Sequence, residues 1–315
     1  MLVLDAAQTR AALPWDRLVK ALDDMFAKGC VMPVRHHHEV AVPGEADATL
    51  LLMPAWQPGA YVGVKMVSVF PGNQTRGLPA IHGSYLLSSG KTGELLAIID
   101  GGELTARRTA AASALASRYL AREDASRMLM VGTGRLSTNV IEAHASVRAI
   151  RNVTIWGRDP KKAEAAVKEL SLGGVSVTVA TDLEAAAREA DIISCATLSS
   201  EPLIRGDWLK PGSHLDLIGA FKPTMRESDD RAAERSSIFV DTREGALSEG
   251  GDIVQPIRSG VITKNAIRAD LFELARGSHP GRTRAEEITL FKSVGAALED
   301  LAGAVLAFEA QRDKF

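Results

Sequence analysis

The sequence predicts an α/β protein built on a doubly wound parallel sheet, with an α+β domain before it and a C-terminal helix that returns to that first domain. Three observations carry this. Residues 128–159 read as strand, glycine turn, helix and second strand in one short unit. An alternation of apolar runs and helical spacing then continues for about 110 residues. The chain before this unit instead holds a helix and a series of short strand-like runs divided by Pro and Gly.

In the central unit, Met128–Val131 is a short apolar run and Gly132-Thr133-Gly134 permits a tight turn, with Val153–Trp156 as the next run. This is the pattern of a Rossmann-type dinucleotide site, in which a pyrophosphate rests on the free N–H groups at a helix N-terminus. Ser137 stands where a third glycine is usual. Gly132, Thr133, Gly134, Arg135 and Leu136 are the expected cofactor contacts here. Further runs at Val175–Val179, Asp191–Thr197, His214–Gly219 and Ile238–Asp241 bring the strands to six. Ligands sit at the carboxyl ends of such strands, so Ala196, Thr197 and Gly219 join the expected contacts.

The strand ending at Trp156 leads into Gly157-Arg158, where an NAD-selective site usually places Asp or Glu. A guanidinium there suits a ribose 2′-phosphate, which points to NADP(H), with Lys161 and Lys162 as further cations. NAD(H) stays the alternative, because Asp159 is one residue away and a basic helix start is also an ordinary solvated surface.

The first domain is read as residues 1–122 with 289–315, and the nucleotide domain as 123–288. Trp15–Phe26 has helical spacing, and Leu50–Met53, Tyr61–Val69, His82–Leu87 and Leu95–Asp100 read as strands. A helix with an alanine-rich face begins near Leu104, with Thr105 as a candidate N-cap. The apolar residues of the final segment from Ile288 recur at three and four, so this terminal helix must pack on something.

A formal net charge of −2 over 315 residues gives no reason to expect nucleic acid or a membrane surface as partner. Cys30 and Cys195 are too few for a disulfide framework, and a cytoplasmic location fits best. No apolar stretch has the length of a membrane span. His36-His37-His38 looks like a metal cluster, but adjacent strand residues alternate faces and three cannot all meet one ion, so no metal site is expected. His82 and His214 read as hydrogen-bonded core histidines, Cys195 as a small buried hydrophobe, and Arg226–Arg231 as a solvated helix start.

Several motifs in order, Lys65-Met-Val-Ser-Val, Asn73, Gly77-Leu-Pro79, Thr92-Gly93, Leu104-Thr105 with Arg108-Thr-Ala-Ala, the glycine turn, Cys195-Ala-Thr197 and Thr289-Leu-Phe-Lys-Ser-Val-Gly295, resemble the ornithine cyclodeaminase/μ-crystallin family. The likeness covers nearly the whole chain. It implies a homodimer pairing through the N-terminal domain, and a substrate carboxylate surrounded by Arg35, Lys65 and Arg108, with Thr109 among the cofactor contacts. The residues agree on one point: Lys65 lies inside the apolar pattern Val62-Gly-Val-Lys-Met-Val, where an unpaired ammonium is costly, so it must have a partner. The plainer alternative is that Lys65 points outward from an edge strand and the two arginines make ordinary surface pairs.

The segment Gly219-Ala-Phe-Lys-Pro-Thr-Met-Arg-Glu227 separates the chemistries that the resemblance allows. Ornithine cyclodeaminases carry an aspartate, the proposed acid/base group, where this chain has Phe221, and Asp216, Lys222 and Glu227 lie near without aligning with it. The pattern is closer to the ketimine reductases. The resemblance therefore implies NAD(P)H-dependent reduction of Δ1-pyrroline-2-carboxylate or Δ1-piperideine-2-carboxylate to L-proline or L-pipecolate, with Lys65 near the imine nitrogen. Two other readings stay open: ornithine cyclodeaminase, giving L-proline and ammonia with NAD, and a non-catalytic NADPH-binding protein of μ-crystallin type.

Overall fold

The computed structural model describes residues 1–312, apart from the side chain of Gln74. The chain packs as two compact units, residues 1–108 with the C-terminal helix from Ala297, and residues 109–296.

The first unit is a mixed six-stranded sheet with helices on one face. Strand β1 (Leu2–Leu4) is followed by α1 (Ala6–Ala12), which opens on an Asp5–Gln8 capping box, and by α2 (Trp15–Lys28). Strands β2 (His36–Val40), β3 (Ala48–Gln57), β4 (Tyr61–Val69), β5 (Ile81–Ser89) and β6 (Leu95–Asp100) then form an antiparallel run, and β1 joins its edge parallel to β6, giving the order β1-β6-β5-β4-β3-β2. Side chains alternate faces along each strand. The row Met53, Lys65, Tyr85 and Ile99, paired across β3 to β6, points inward and is buried. Gly63 on β4 is required there: a Cβ would lie 2.0 Å from the Tyr85 hydroxyl. His82 is on the other face and exposed, so it is not the core histidine expected from its apolar neighbours; the alternation of β5 puts it opposite Ser68, on the outward side. His36 and His38 share a face in edge contact, with His37 on the other.

The second unit is an eight-stranded, wholly parallel sheet. Its elements begin after α3 (Gly101–Leu120), within which the division between the units falls. They are β7 (Arg127–Val131), α4 (Arg135–Val147), β8 (Asn152–Trp156), α5 (Pro160–Glu169), β9 (Ser176–Val179), α6 (Leu183–Glu189), β10 (Ile192–Cys195), β11 (His214–Leu217), α7 (Asp230–Arg235), β12 (Ser237–Val240), α8 (Arg243–Ser248), α9 (Gly251–Arg258), β13 (Ile267–Asp270), α10 (Leu271–Ala275) and β14 (Thr289–Lys292). The order β13-β12-β14-β11-β10-β7-β8-β9 places the topological switch point between β7 and β10.

Two of these eight strands, β13 and β14, are absent from the six expected. Strand β14 also moves the domain boundary: residues 289–292 pair with β11 and β12 inside the parallel sheet rather than beginning the return segment. Its sequence, Thr-Leu-Phe-Lys, hides a strand buried on both faces, because it is short and carries two polar residues that are themselves fully buried. The other boundary falls at residue 108, inside a helix, where no linker composition marks it.

The last helix, α11 (Ala297–Arg312), belongs to the first unit, where it lies against α2 and across β3 and β4. Residues 297–304 are buried around the whole circumference, which explains its lack of a polar face. Gly303 lets it approach closely, since a Cβ would lie 2.8 Å from Leu104.

Candidate functional site

In the second unit, a cavity of about 410 Å³ opens at the carboxyl ends of β7, β8 and β10. Of the expected cofactor residues it is lined by Gly132, Thr133, Gly134, Arg158, Ala196 and Thr197, together with Trp156, Gly157, Asp159 and Lys162. Arg135 and Leu136 open α4 beside it, Gly219 is buried behind Thr197, and Thr109 lies within α3; none of these four lines the cavity.

The cavity fits a dinucleotide on its own geometry. Gly132 has φ 125°, and a Cβ there would stand 2.7 Å from the Ala196 carbonyl oxygen, so only glycine lets the turn pass the end of β10. The helix that follows has Gly134 as N-cap and no side-chain cap, whereas α5, α6, α7, α8 and α10 are capped by Asp159, Asp182, Asp229, Thr242 and Asp270. An uncapped helix N-terminus at this cavity suits a phosphate. Ser137, in place of the third glycine, is buried and donates to the Gly132 carbonyl oxygen at 2.9 Å, tying the turn to the helix. Asp159 is committed as cap of α5, accepting from the Lys161 N–H at 3.0 Å, and Arg158 and Lys162 are the cations on this wall.

Behind this wall lies a group of buried carboxylates that the sequence did not reveal. Glu227 is fully buried. One oxygen accepts from the Thr197 N–H at 2.6 Å and the Thr197 hydroxyl at 2.7 Å, and the other from the N–H groups of Gly219 at 2.8 Å and Ala220 at 3.3 Å. Asp252 accepts from the Glu227 and Ser228 N–H groups and faces the Lys292 ammonium at 3.1 Å. Burial pushes the Glu227 carboxyl up to about 7, against the pull of Lys292 and with the help of Asp252. The expectation of a solvated helix start over 226–231 therefore fails at Glu227 and Ser228, and holds only from the Asp229 cap onward. Asp216 is engaged through one oxygen: it lies in β11, and its Oδ2 accepts from the hydroxyls of Ser113 and Ser194 and from His144. Phe221 stands half-exposed on the loop after β11, with the Lys222 ammonium over its ring. His214 is a core histidine, bonded to the Thr289 hydroxyl at 2.9 Å, and burial lowers its pKa to about 3.

In the first unit, the structure brings Lys65 and Arg108 onto one carboxylate. The Lys65 ammonium is 2.7 Å from Asp300 Oδ2, while Arg108 Nε donates to Asp300 Oδ1 at 2.9 Å and Nη1 to Glu299 Oε2 at 2.6 Å. All four side chains are buried, with two positive and two negative charges in balance. Lys65 points inward, with the partner that its place in an apolar strand demands. Burial lowers its pKa to about 8, Asp300 opposing and Arg108 assisting the shift. For Arg108 burial also opposes the charge, but Asp300 and Glu299 outweigh it and hold the guanidinium firmly protonated. Tyr85, opposite Lys65 on β5, has its hydroxyl raised well above the ordinary value by burial and by Asp300. The neighbouring Arg107 has a different task, donating through Nε and Nη2 to the Leu13 carbonyl oxygen and lying over the Trp15 ring. Arg35 is half-buried on the segment before β2, the edge strand of the same sheet.

Glu299 and Asp300 were missed in the sequence. The signal was there: two adjacent acids in an otherwise apolar helix need partners for the reason that Lys65 does.

The sequence profile of the ornithine cyclodeaminase/mu-crystallin family matches residues 2–314. A Delta(1)-pyrroline-2-carboxylate reductase from Paracoccus denitrificans is 38% identical over 290 residues, 92% of this chain and 90% of its own. Among solved structures, the Thermococcus litoralis Delta(1)-pyrroline-2-carboxylate reductase in complex with NADH and L-proline superposes with a TM-score of 0.92 at 33% identity, over 100% of this chain and 98% of that one. An archaeal alanine dehydrogenase dimer with bound NAD gives 0.89 at 30% identity, over 100% and 97%.

Proposed function

Since the chain belongs to the ornithine cyclodeaminase/mu-crystallin family, we propose that it is an NAD(P)H-dependent reductase of cyclic imino acids, converting Δ1-pyrroline-2-carboxylate or Δ1-piperideine-2-carboxylate to L-proline or L-pipecolate. The observation that carries the reading is the buried quartet of Lys65, Arg108, Glu299 and Asp300, in a chain that also has a dinucleotide cleft. A small imino acid offers one planar carboxylate and one basic nitrogen. Arg108 has its Nε and Nη1 committed, which leaves Nη2 for the substrate carboxylate, with Arg35 as its second clamp. Lys65, with two ammonium protons beyond the one facing Asp300, is placed to keep the imine nitrogen protonated, which makes the adjacent carbon electrophilic. The bound nicotinamide supplies the hydride. Holding the two reactants in contact is then the main contribution of the protein.

The cofactor preference follows from Arg158 and Lys162 on the cavity wall and from the commitment of Asp159 to α5, which favour a ribose 2′-phosphate and hence NADP(H). The relatives carry NADH and NAD, so NADH is the competitor to measure against. The family's cyclodeaminase chemistry is disfavoured by Phe221, which cannot take a proton, and by the full burial of the neighbouring carboxylates Asp216 and Glu227 inside the fold, where both Glu227 oxygens are filled by donors. We further assign a homodimer through the outward face of the first unit's sheet, where Val3, Val62, Met66 and Leu86 are exposed. Both thiols are free, as suits the cytoplasm.

The test is oxidation of NADPH and NADH, followed by absorbance, with each of the two imino acids. Turnover with at least one is expected; none with either overturns the reading. Ammonia release from L-ornithine without net cofactor consumption would establish the cyclodeaminase instead.

A further inference from the structure

Glu227 occupies a position that has no counterpart in the reaction itself. Its carboxylate sits between the ends of β10 and β11 and collects four donors from two separate loops: the N–H and hydroxyl of Thr197 on one side, and the N–H groups of Gly219 and Ala220 on the other. Neither loop has a ladder partner at this level, since the paired residues of β10 and β11 end at Cys195 and Leu217. The two loops approach so closely that Gly219 is obligatory, a Cβ standing 2.1 Å from the Thr197 nitrogen and 2.4 Å from Glu227 Oε1. Thr197 and the preceding Ala196 line the cavity in which a dinucleotide is placed.

A second tier fixes Glu227 in turn. Asp252, in the first turn of α9, accepts its N–H at 2.7 Å and that of Ser228 at 3.0 Å, and Lys292 at the end of β14 faces Asp252. The close seat of α9 needs Gly251, whose Cβ would fall 1.8 Å from the Met225 carbonyl oxygen. Glu227 is thereby held from both sides, and the contacts it makes are the kind whose strength depends on a charged acceptor.

We propose that Glu227 is a positioning residue for cofactor binding, acting through Thr197: its carboxylate staples the β10 and β11 loops and so sets the wall of the dinucleotide cleft. This rests on reading the cleft as a dinucleotide site. Glu227 touches neither substrate nor cofactor. It keeps the Thr197 backbone in a single orientation before the cofactor arrives, so that binding does not have to order that loop.

The decisive variant is Glu227→Gln, which preserves size but turns one acceptor oxygen into an NH2 group facing N–H donors. NADPH and NADH affinities are measured by quenching of tryptophan fluorescence, alongside KM for the imino acid and the melting temperature, and amide hydrogen exchange is followed at residues 196–198 and 219–220. The expected result is cofactor binding weakened about tenfold, the equivalent of one charge-assisted hydrogen bond. KM for the imino acid should stay within about twofold of the parent at saturating cofactor, with faster exchange at Thr197, Gly219 and Ala220.

Thr197→Val and Thr197→Ser form a second pair that leaves Glu227 itself intact: the valine, which loses the hydroxyl donor, should speed exchange at Thr197, and the serine should restore it. A Glu227→Gln protein that melts earlier yet binds both cofactors like the parent overturns the proposal and leaves Glu227 a purely structural group. If the parent protein itself binds neither NADPH nor NADH, the dinucleotide reading falls, and the proposal with it.

Discussion

The two units use buried carboxylates in opposite ways. In the first, Glu299 and Asp300 meet side-chain cations, so four charges from two helices and a strand far apart in sequence balance one another. In the second, Glu227 and Asp252 receive chiefly backbone N–H groups, and the Lys292 ammonium stands one carboxylate away from Glu227. The first arrangement poises charged groups that a ligand can use, because each cation keeps donors to spare. The second fixes backbone, with both oxygens of Glu227 filled by donors. On the proposed function, the charges of the first unit are chemistry held ready, whereas those of the second hold backbone in place.

If so, the first unit should fail most severely when one charge is removed. Asp300→Ala strips Lys65 and Arg108 of their shared partner, and breaking a buried ion-pair group in this way costs about 3–5 kcal/mol. We expect a loss of that size in urea unfolding, with turnover abolished. A variant that is as stable as the parent would show that the quartet is not the closed group described. Arg108→Lys is gentler: a charge remains, but the planar fork that serves Asp300, Glu299 and, as proposed, the substrate carboxylate does not. KM for the imino acid should rise by about 10–100-fold, with cofactor affinity unchanged. A matched loss of cofactor affinity would break the separation of the two roles.

The same contrast explains how much was legible beforehand. The glycine turn is local: strand, Gly132, Gly134 and helix are consecutive, so the unit can be read in one window, and its two glycines line a cavity in the structure. Lys65 was readable as buried and paired because a charge inside an alternating strand is an anomaly. Its partner was not, since Asp300 lies 235 positions later on a helix whose apolar spacing drew the eye from its acids. Glu227 was hidden differently, in the charged run Arg226-Glu-Ser-Asp-Asp-Arg231, where polarity suggests solvent and nothing local tells the buried acid from its solvated neighbours. Strand β14 was missed for a related reason: Thr289 and Lys292 make it look half-exposed, while both are consumed by buried partners.

Arg158 offers a smaller effect within the second unit. It is exposed, so its removal should leave the fold untouched, unlike loss of any of the buried carboxylates. Arg158→Ala should weaken NADPH about tenfold, as expected for one lost charge-assisted contact, and leave NADH unchanged. Equal weakening of both cofactors would mean that Arg158 contacts a part they share, and no weakening of either would return the preference to NAD(H).

The finest distinction is one of pH. In the first unit Lys65 is held near 8, so the ammonium proposed to serve the imine nitrogen is lost as pH rises through that value. Turnover should fall about fivefold between pH 8 and 9, as the protonated fraction does for a group titrating at 8. The titration of Lys65 does not produce such a fall through unfolding. A lysine whose folded pKa lies below its ordinary 10.5 binds fewer protons in the folded state than in the unfolded one, so between 8 and 10.5 its contribution to stability grows with pH. Activity and stability should therefore move in opposite directions over this interval insofar as Lys65 governs both. Glu227, raised to about 7, gives the reverse linkage in the second unit: its contribution to stability is fully present below its ordinary 4.5 and is lost as pH rises through 7. Initial rates and urea midpoints measured on the same samples from pH 5 to 10 would separate the two carboxylate systems. A rate that stays level through pH 8–9 would remove Lys65 from the proton's path while leaving the proposed carboxylate clamp of Arg108 and Arg35 intact.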